Sequence, residues 1–345
     1  MVKRSLAVLV LGVILLYGWG GDGQARADQA KDPRAQKAEE AYQKAVEARR
    51  ALDSTEEKLA VTKKFLDEFP ESEHTASAIG AVFYYQGTGL GDVQGAVAFA
   101  ESIRAEVSDP EIAKSVDKEM ISIYGEAGIL PKMLAVADRL SAAGALDFGD
   151  HWTIITSALK ADNWDLTRGY CGKARKLANA EVYRTEYPDR DLTDEDVAKA
   201  VKNREGMLLV SDAWARANQG ELDAALSDFA TADGLVGRSY IGAPEHDLNL
   251  YWGKALLMKG DHQAAAEKLA VEGLIMRNDE ALAGLKKAYV GTHGNETGFD
   301  DYTAQLHRSI AKKVDDFELS DYKGERRHFS DLRKDVTLLC FWFPT

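Results

Sequence analysis

The residues with the clearest chemical potential in this sequence are its two cysteines, Cys171 and Cys340. Thiol–disulfide exchange needs two thiols close together, usually as Cys-x-x-Cys at the start of a helix, where the thiol pKa is lowered. Here one cysteine lies in a predicted helix and the other in a predicted apolar strand. We therefore expect two buried thiols that do not exchange disulfides.

Two other segments match binding loops only in part. Gly87 to Gly91 has neither the preceding strand nor the following Lys-Ser/Thr of a phosphate loop, so it predicts a connection between helices. Asp189 to Glu195 lacks the central glycine of a calcium loop. We expect Thr193 to cap a helix instead, with Asp196 at its third position.

The histidines offer no metal-binding pattern. All seven are scattered, without the spacing typical of ligands, so the sequence predicts no metal site and no cofactor. His246-Asp247 predicts the start of a helix rather than half of a catalytic triad, because the sequence holds no G-x-S-x-G serine.

The N-terminus has the three parts of a secretory signal. Lys3 and Arg4 precede an apolar run from residue 6 to residue 17, and Ala25-Arg26-Ala27 forms a cleavage site. A membrane anchor is the alternative, but a spanning helix needs about 20 apolar residues. We expect residues 1–27 to be removed, the product to be periplasmic or extracellular, and no later segment to span a membrane.

The charge of the chain limits its partners. The formal net charge is −13 at pH 7. Nucleic acids and anionic membranes are bound by clustered Lys and Arg, so neither is an expected partner.

Most of the chain shows a repeated helical pattern. Ser54 to Glu57 has the sequence of a capping box, Pro70 ends the helix that follows, and Ser72 is expected to cap the next one. Asp109-Pro110 has the form of a helix start. The first apolar stripe at helical spacing comprises Ala38, Ala41, Tyr42, Ala45, Ala48 and Leu52. Turns between helices are expected near Gly91, Gly128, Asn163, Gly220 and Gly260.

Two segments carry a resemblance to the tetratricopeptide repeat. Gly220-x4-Ala225-x3-Phe229-x2-Ala232 is similar to the second half of its consensus, and residues 64–72 resemble the end of one repeat and the start of the next. The resemblance implies stacked helix pairs that bind a protein or peptide.

The predicted repeat is irregular in length. Insertions at Glu181 to Leu192 and Leu235 to Pro244 explain its uneven spacing, and residues 278–291 and 299–312 predict two further helices. We therefore expect an α-helical solenoid over residues 28–312, with helices from about Asp32 onward.

Residues 313–345 follow a different pattern. A predicted hairpin and a short helical turn precede Val336 to Phe343, an apolar run typical of a strand buried on both faces. This segment resembles the start of the redoxin group of the thioredoxin superfamily. The similarity rests on Asp316-Phe317-x-Leu319, Asp321-x2-Gly324, Ser330-Asp331-Leu332-Arg333 and the strand that ends in Phe341-Trp342.

The resemblance implies a place for the active site. Phe341, Trp342, Phe343, Pro344 and Thr345 would form its approach, and the nucleophilic residue of the family would follow. No catalytic residue is therefore assigned within this sequence. The fold class predicted for the whole is an all-α helical repeat with an incomplete α/β thioredoxin-like segment.

The position of the last residue suggests a chemical explanation. Selenocysteine replaces the nucleophilic cysteine in some thioredoxin-like proteins and is encoded by UGA, so a UGA after the codon for Thr345 is one hypothesis. A frameshift, a fragment or an ordinary stop codon are the others.

Two functions from different classes remain open at this point. The first is an exported thiol–disulfide oxidoreductase with an N-terminal protein-binding repeat, whose catalytic part this sequence lacks. The second is a secreted scaffold that binds a protein or peptide and has no enzymatic activity.

Overall fold

The computed structural model describes residues 32–239, 242–310, 315–320 and 323–332. Within these ranges the chain is mostly α-helical, with one two-stranded hairpin near the C-terminus. The helical part of the predicted fold class is thus confirmed. The predicted leader, residues 1–27, and the predicted strand, residues 336–343, lie outside the described residues, so both stay predictions.

The chain divides into two compact units, residues 1–237 and residues 238–345. The division falls inside the predicted repeat. The predicted domain boundary after Lys312 stays a prediction, because residues 311–314 lie outside the described residues.

The first unit consists of helices joined by short turns. Helices α1 to α4 are followed by three more pairs, and an additional short helix precedes the last pair. The bounds are α1 (Pro33–Ala51), α2 (Thr55–Glu68), α3 (Thr75–Val82) with its π-helical extension Phe83–Gly89, α4 (Val93–Glu106), α5 (Pro110–Glu126), α6 (Leu130–Ala142), α7 (Phe148–Lys160), α8 (Trp164–Ala174) with the 3-10 turn Arg175–Leu177, α9 (Ala180–Glu186), α10 (Asp194–Asn218) and α11 (Leu222–Asp233).

Several predicted helix boundaries are confirmed. The Asp109 carboxylate accepts hydrogen bonds from the N–H groups of residues 111 and 112, and Pro110 is the first residue of α5. Thr193 and Asp196 form a reciprocal capping box at α10. Gly128 and Gly220 adopt φ of +69° and +90° at the turns, a conformation that glycine takes without strain.

Two predicted caps are wrong in detail. Ser54 Oγ accepts from the N–H of Glu57 at 3.3 Å, but the Ser54 hydroxyl donates to Glu56, so only half of the capping box forms. Ser72 Oγ accepts from the N–H of His74 at 3.2 Å, within the turn that precedes α3, and so caps no helix. A serine hydroxyl can accept a hydrogen bond from a backbone N–H group in a local turn as readily as from one at the start of a helix.

The first helices of successive pairs stack directly on one another. Helix α5 contacts both α3 and α7, whereas the second helices α4 and α6 have no comparable contact with each other. The backbones of α5 and α7 approach closely at Gly125, where a Cβ atom would lie 2.5 Å from Ser157 Oγ. Because the closer contacts lie along the first helices, we call the side of the array that α3, α5 and α7 form its inner side.

A buried carboxylate of α5 links this helix to α4 and α6, the neighbouring second helices. Asp117 accepts two hydrogen bonds from Arg104 of α4, at 2.7 and 3.2 Å, and one from Arg139 of α6, at 3.0 Å. Burial alone would raise the pKa of Asp117, but the two arginines outweigh it and hold this pKa below its usual range.

The first predicted insertion folds into α9 and is held by a buried arginine. Arg204 of α10 pairs with Glu186 at the end of α9. Its guanidinium also lies 4.1 Å from the ring centroid of Phe148 and 4.7 Å from that of Tyr183. The insertion is therefore anchored to the repeat by one residue that makes both ionic and cation–π contacts.

The second unit contains two more helix pairs and the hairpin. Gly253 packs so tightly on Leu269 that a Cβ atom there would clash with the leucine side chain. The predicted hairpin is confirmed, with Leu319 opposite Arg327 in an antiparallel register. The bounds are α12 (Leu248–Lys259), α13 (His262–Ala270) with its π-helical extension Val271–Ile275, α14 (Asp279–His293), α15 (Phe299–Ile310), β1 (Glu318–Ser320), β2 (Arg326–His328) and α16 (Phe329–Leu332).

We expect Phe229→Ala to lower the free energy of unfolding by about 3–5 kcal/mol, because it removes a fully buried aromatic ring from α11. Urea denaturation followed by circular dichroism measures the change. Leu90→Ala is the control, since that side chain is 42% exposed and its loss should cost about 1 kcal/mol or less. Equal costs for the two variants would contradict the packing described for α11.

Asp117→Asn is expected to lower the free energy of unfolding by roughly 1–3 kcal/mol at neutral pH, because the arginines lose a charged acceptor. Because the pKa of Asp117 is lower in the folded than in the unfolded state, its ionised carboxylate stabilises the fold above the unfolded pKa. This stabilisation is lost as the pH falls through the folded pKa. Urea titrations at decreasing pH should therefore show the difference between the two proteins shrinking. A difference that grows on acidification would refute this account.

Candidate functional site

The predicted active-site approach and the two cysteines are considered first. Residues 341–345, the predicted active-site approach, lie outside the described residues, as does Cys340. Cys171 lies fully buried in α8, and burial raises the pKa of its thiol to about 12. A thiol in this state is neither accessible nor ionised near neutral pH.

The inner side of the first unit presents a different group. Successive residues of an α-helix point about 100° apart, so the contacts of Asp117 and Lys118 fix the orientation of α5. Asp117 points toward α4 and α6, and Lys118 points toward α7, where it pairs with Asp147 and lies 3.5 Å from Asp150. Glu119 therefore points away from the second helices, toward the inner side.

Glu119 occupies a notch formed by a glycine of the neighbouring helix. A Cβ atom at Gly80 of α3 would clash with the carboxylate of Glu119, so the glycine provides the space that the carboxylate fills. Glu119 makes no hydrogen bond or ion pair with any residue that the structure describes. Burial between α3 and α5 raises its pKa to about 7.

The surface around Glu119 consists mainly of small polar residues. Short side chains let a ligand backbone approach a helix closely, and their hydroxyl oxygens can accept hydrogen bonds from it. The hydroxyls of Thr153 and Thr156 donate to carbonyls of α7. Tyr84, at 53% exposure, lies four residues after Gly80, in the π-helical extension of α3. We call this surface the inner face, and its solvent-facing residues are Ser77, Tyr84, Ser115, Ser122, Glu126, Gly149, Thr153 and Thr156.

The Glu119 position was not identified from the sequence. A glutamate within an amphipathic helix is usually solvated, and nothing near it in sequence marks it as unpaired. Its environment depends on Gly80, which belongs to the preceding helix pair. A pKa raised by burial at a surface lined with polar groups is a recognised indication of a functional site.

Glu119→Gln is expected to stabilise the folded protein by about 1–3 kcal/mol at pH 8. The folded pKa of about 7 exceeds the ordinary glutamate pKa of 4.5, so ionised Glu119 destabilises the fold above pH 4.5, most strongly above pH 7. The gain should disappear on acidification toward pH 4.5. The exposed Glu126→Gln on the same helix is the matched control, and an equal gain there would contradict a specific role for burial.

Cys171 is expected to remain unreactive toward a thiol reagent such as dithionitrobenzoate while the protein is folded, because it is buried and its pKa is raised. The measurement uses a Cys340→Ser variant, in which Cys171 is the only thiol. Reaction should begin only when guanidinium unfolds the chain. Rapid labelling of the native protein would show that α8 is open to solvent.

No family model matches this chain, and no curated protein does either. One similar solved structure is a tetratricopeptide repeat protein from Parabacteroides merdae, at 14% sequence identity and a TM-score of 0.38, covering 80% of this chain and 99% of that one. A similarity this low adds no weight to the interpretation.

The helical repeat is shown by the helix pairs themselves, in which Ala225, Phe229 and Ala232 are fully buried. Among the described residues, no helix is both long and apolar enough to cross a membrane.

Proposed function

We propose that this protein is a helical-repeat scaffold that binds an extended peptide segment of a partner on the inner face of α3, α5 and α7. Glu119 receives a cationic group of that segment, either a lysine or arginine side chain or a terminal ammonium. The single observation that carries the proposal is the half-buried Glu119 carboxylate, which lies against Gly80 and has no hydrogen-bond or ion-pair partner among the described residues.

The electrostatics of α5 favour a positively charged ligand. A carboxylate that is kept from water without a counter-charge is destabilised, and a bound ammonium or guanidinium relieves this through charge-assisted hydrogen bonds. The nearest cation along the helix, Lys118, already pairs with Asp147 and Asp150. The ligand would therefore supply the positive charge that no described residue of the fold offers to Glu119.

Stacked helix pairs suit this role. Repeat proteins present continuous surfaces along rows of equivalent helices, and extended segments bind there through several weak contacts. On the inner face the glycine and the hydroxyl residues would contact the peptide backbone, Tyr84 would pack on a side chain, and Glu119 would fix the register. The class of partner is thus a peptide with at least one basic residue.

The test compares wild type, Glu119→Gln and Glu106→Gln on an array of short peptides, with hits quantified by fluorescence polarisation. Glu106 is exposed at the end of α4, outside the inner face, so we expect peptides that contain lysine or arginine to bind wild type and Glu106→Gln equally. Glu119→Gln should bind them at least tenfold more weakly, which corresponds to the loss of one charge-assisted hydrogen bond, about 1.4 kcal/mol. Equal binding by all three proteins would refute the proposal.

A second proposed activity, thiol–disulfide exchange, has a separate observation in its favour. The described residues near the C-terminus adopt the hairpin and helical turn expected from the redoxin resemblance. The Asp316 carboxylate accepts from the N–H of Ser330 at 2.7 Å, and the rings of Phe317 and Phe329 stack 4.8 Å apart. The genomic reading frame after the codon for Thr345 tests it, because a thioredoxin-like continuation with a selenocysteine or cysteine nucleophile is required.

We also propose that the protein is exported, on the basis of the N-terminal signal sequence. Expression in a bacterial host followed by fractionation and N-terminal sequencing tests this. Recovery outside the cytoplasm with Asp28 as the first residue is the expected result. A cytoplasmic protein that keeps residues 1–27 would contradict it.

A further inference from the structure

Three potential metal ligands meet where α1 passes the turn before α3. Glu39 belongs to α1, and Glu73 and His74 belong to that turn. His74 Nε2 lies 2.5 Å from Glu39 Oε2 and 3.8 Å from Glu73 Oε1. One ligand atom from each residue lies within 4.8 Å of the other two.

Neighbouring residues hold two of these ligands in place. The His74 ring stacks on Tyr42, with ring centroids 4.0 Å apart and the planes within 6°. Glu39 Oε1 accepts a hydrogen bond from Gln43 at 2.8 Å. Tyr42 and Gln43 both lie on α1, so that helix orients the imidazole plane and one carboxylate. Orientation by surrounding groups of this kind is typical of metal ligands.

The separations fit a small tetrahedral ion. Zinc binds histidine nitrogen and carboxylate oxygen at about 2.0–2.2 Å, which places two ligand atoms of a tetrahedron roughly 3.4 Å apart. The 3.8 Å separation is close to that value, whereas the 2.5 Å hydrogen bond between His74 and Glu39 would have to open by about 0.9 Å to admit the ion. Glu73 is mostly exposed, so its side chain can adjust by rotation without disturbing the helices.

We propose that Glu39, Glu73 and His74 form a binding site for a divalent transition-metal ion of the Zn²⁺ class, with solvent completing the coordination. One imidazole and two carboxylates form a donor set that suits Zn²⁺ and its neighbours, whereas Mg²⁺ and Ca²⁺ prefer oxygen ligands alone. This site is separate from the inner face and does not depend on the function proposed there.

The position of the site gives the ion a structural role. Among the described residues, α1 has only Ala38 and Ala45 buried, so little apolar area fixes it to the repeat. An ion shared by α1 and the turn before α3 would join residues far apart in sequence, and an ion that binds only the folded state stabilises that state. Bound metal should therefore protect α1 from fraying.

The test uses the full mature chain without a histidine tag, first treated with a chelator. Isothermal titration with Zn²⁺ should show one site, and the melting temperature should rise on Zn²⁺ addition but not on Mg²⁺ addition. Glu73→Gln and His74→Ala should each weaken Zn²⁺ binding at least tenfold. Glu68→Gln removes the same charge from a nearby exposed position and should bind as wild type does.

The outcomes separate a metal site from a simple ion pair. Glu73 is exposed, so Glu73→Gln is expected to fold normally, and its affinity for Zn²⁺ remains informative if His74→Ala unfolds. Zn²⁺ binding that is equally strong in Glu73→Gln and wild type would overturn the proposal. The same holds if wild type shows no Zn²⁺-dependent shift in melting temperature, since His74 and Glu39 would then form an ion pair only.

Discussion

The close approach of neighbouring helices is the constraint on which the rest of this structure depends. A single helix pair cannot bury its own apolar stripe, so pairs must stack, and stacking requires small residues where backbones meet. Gly125 meets this requirement between α5 and α7, and Gly253 meets it against Leu269 in the second unit. Gly80 lies at a similar approach, but there the space is filled by Glu119. The candidate site is thus a by-product of the packing that builds the repeat.

Helix α5 shows how two carboxylates of one helix acquire opposite properties. Asp117 and Glu119 both lose water on folding, yet the pKa of Asp117 falls and that of Glu119 rises to about 7. The difference lies in the neighbours. Arg104 and Arg139 reach Asp117 from the second helices, while the Glu119 carboxylate lies against Gly80 of α3. One carboxylate thereby stabilises the fold, and the other remains available to a ligand.

Local features of the fold could be predicted from the sequence, and features that depend on distant contacts could not. Asp109 caps α5 and Gly220 forms a turn, because such preferences involve only a few neighbouring residues. Ser72 was wrongly predicted to cap α3, because its hydroxyl can accept a hydrogen bond either at a helix start or within a turn, and here it does so within the turn. Glu119 and the pair of His74 with Glu39 were missed, since each acquires its environment only when separate helix pairs are stacked. The pair His74–Glu39 joins residues 35 positions apart.

The stacking of α3, α5 and α7 also has a mechanical consequence. Since these helices contact one another more closely than α4 and α6 do, we expect the row to resist bending more along its inner edge than along its outer edge. A force applied along the row would change its curvature before it broke the inner contacts. The Arg104–Asp117–Arg139 bridge spans the outer edge and would act as a limit on how far it opens. Bending of this kind would alter the shape of the inner face without unfolding any helix.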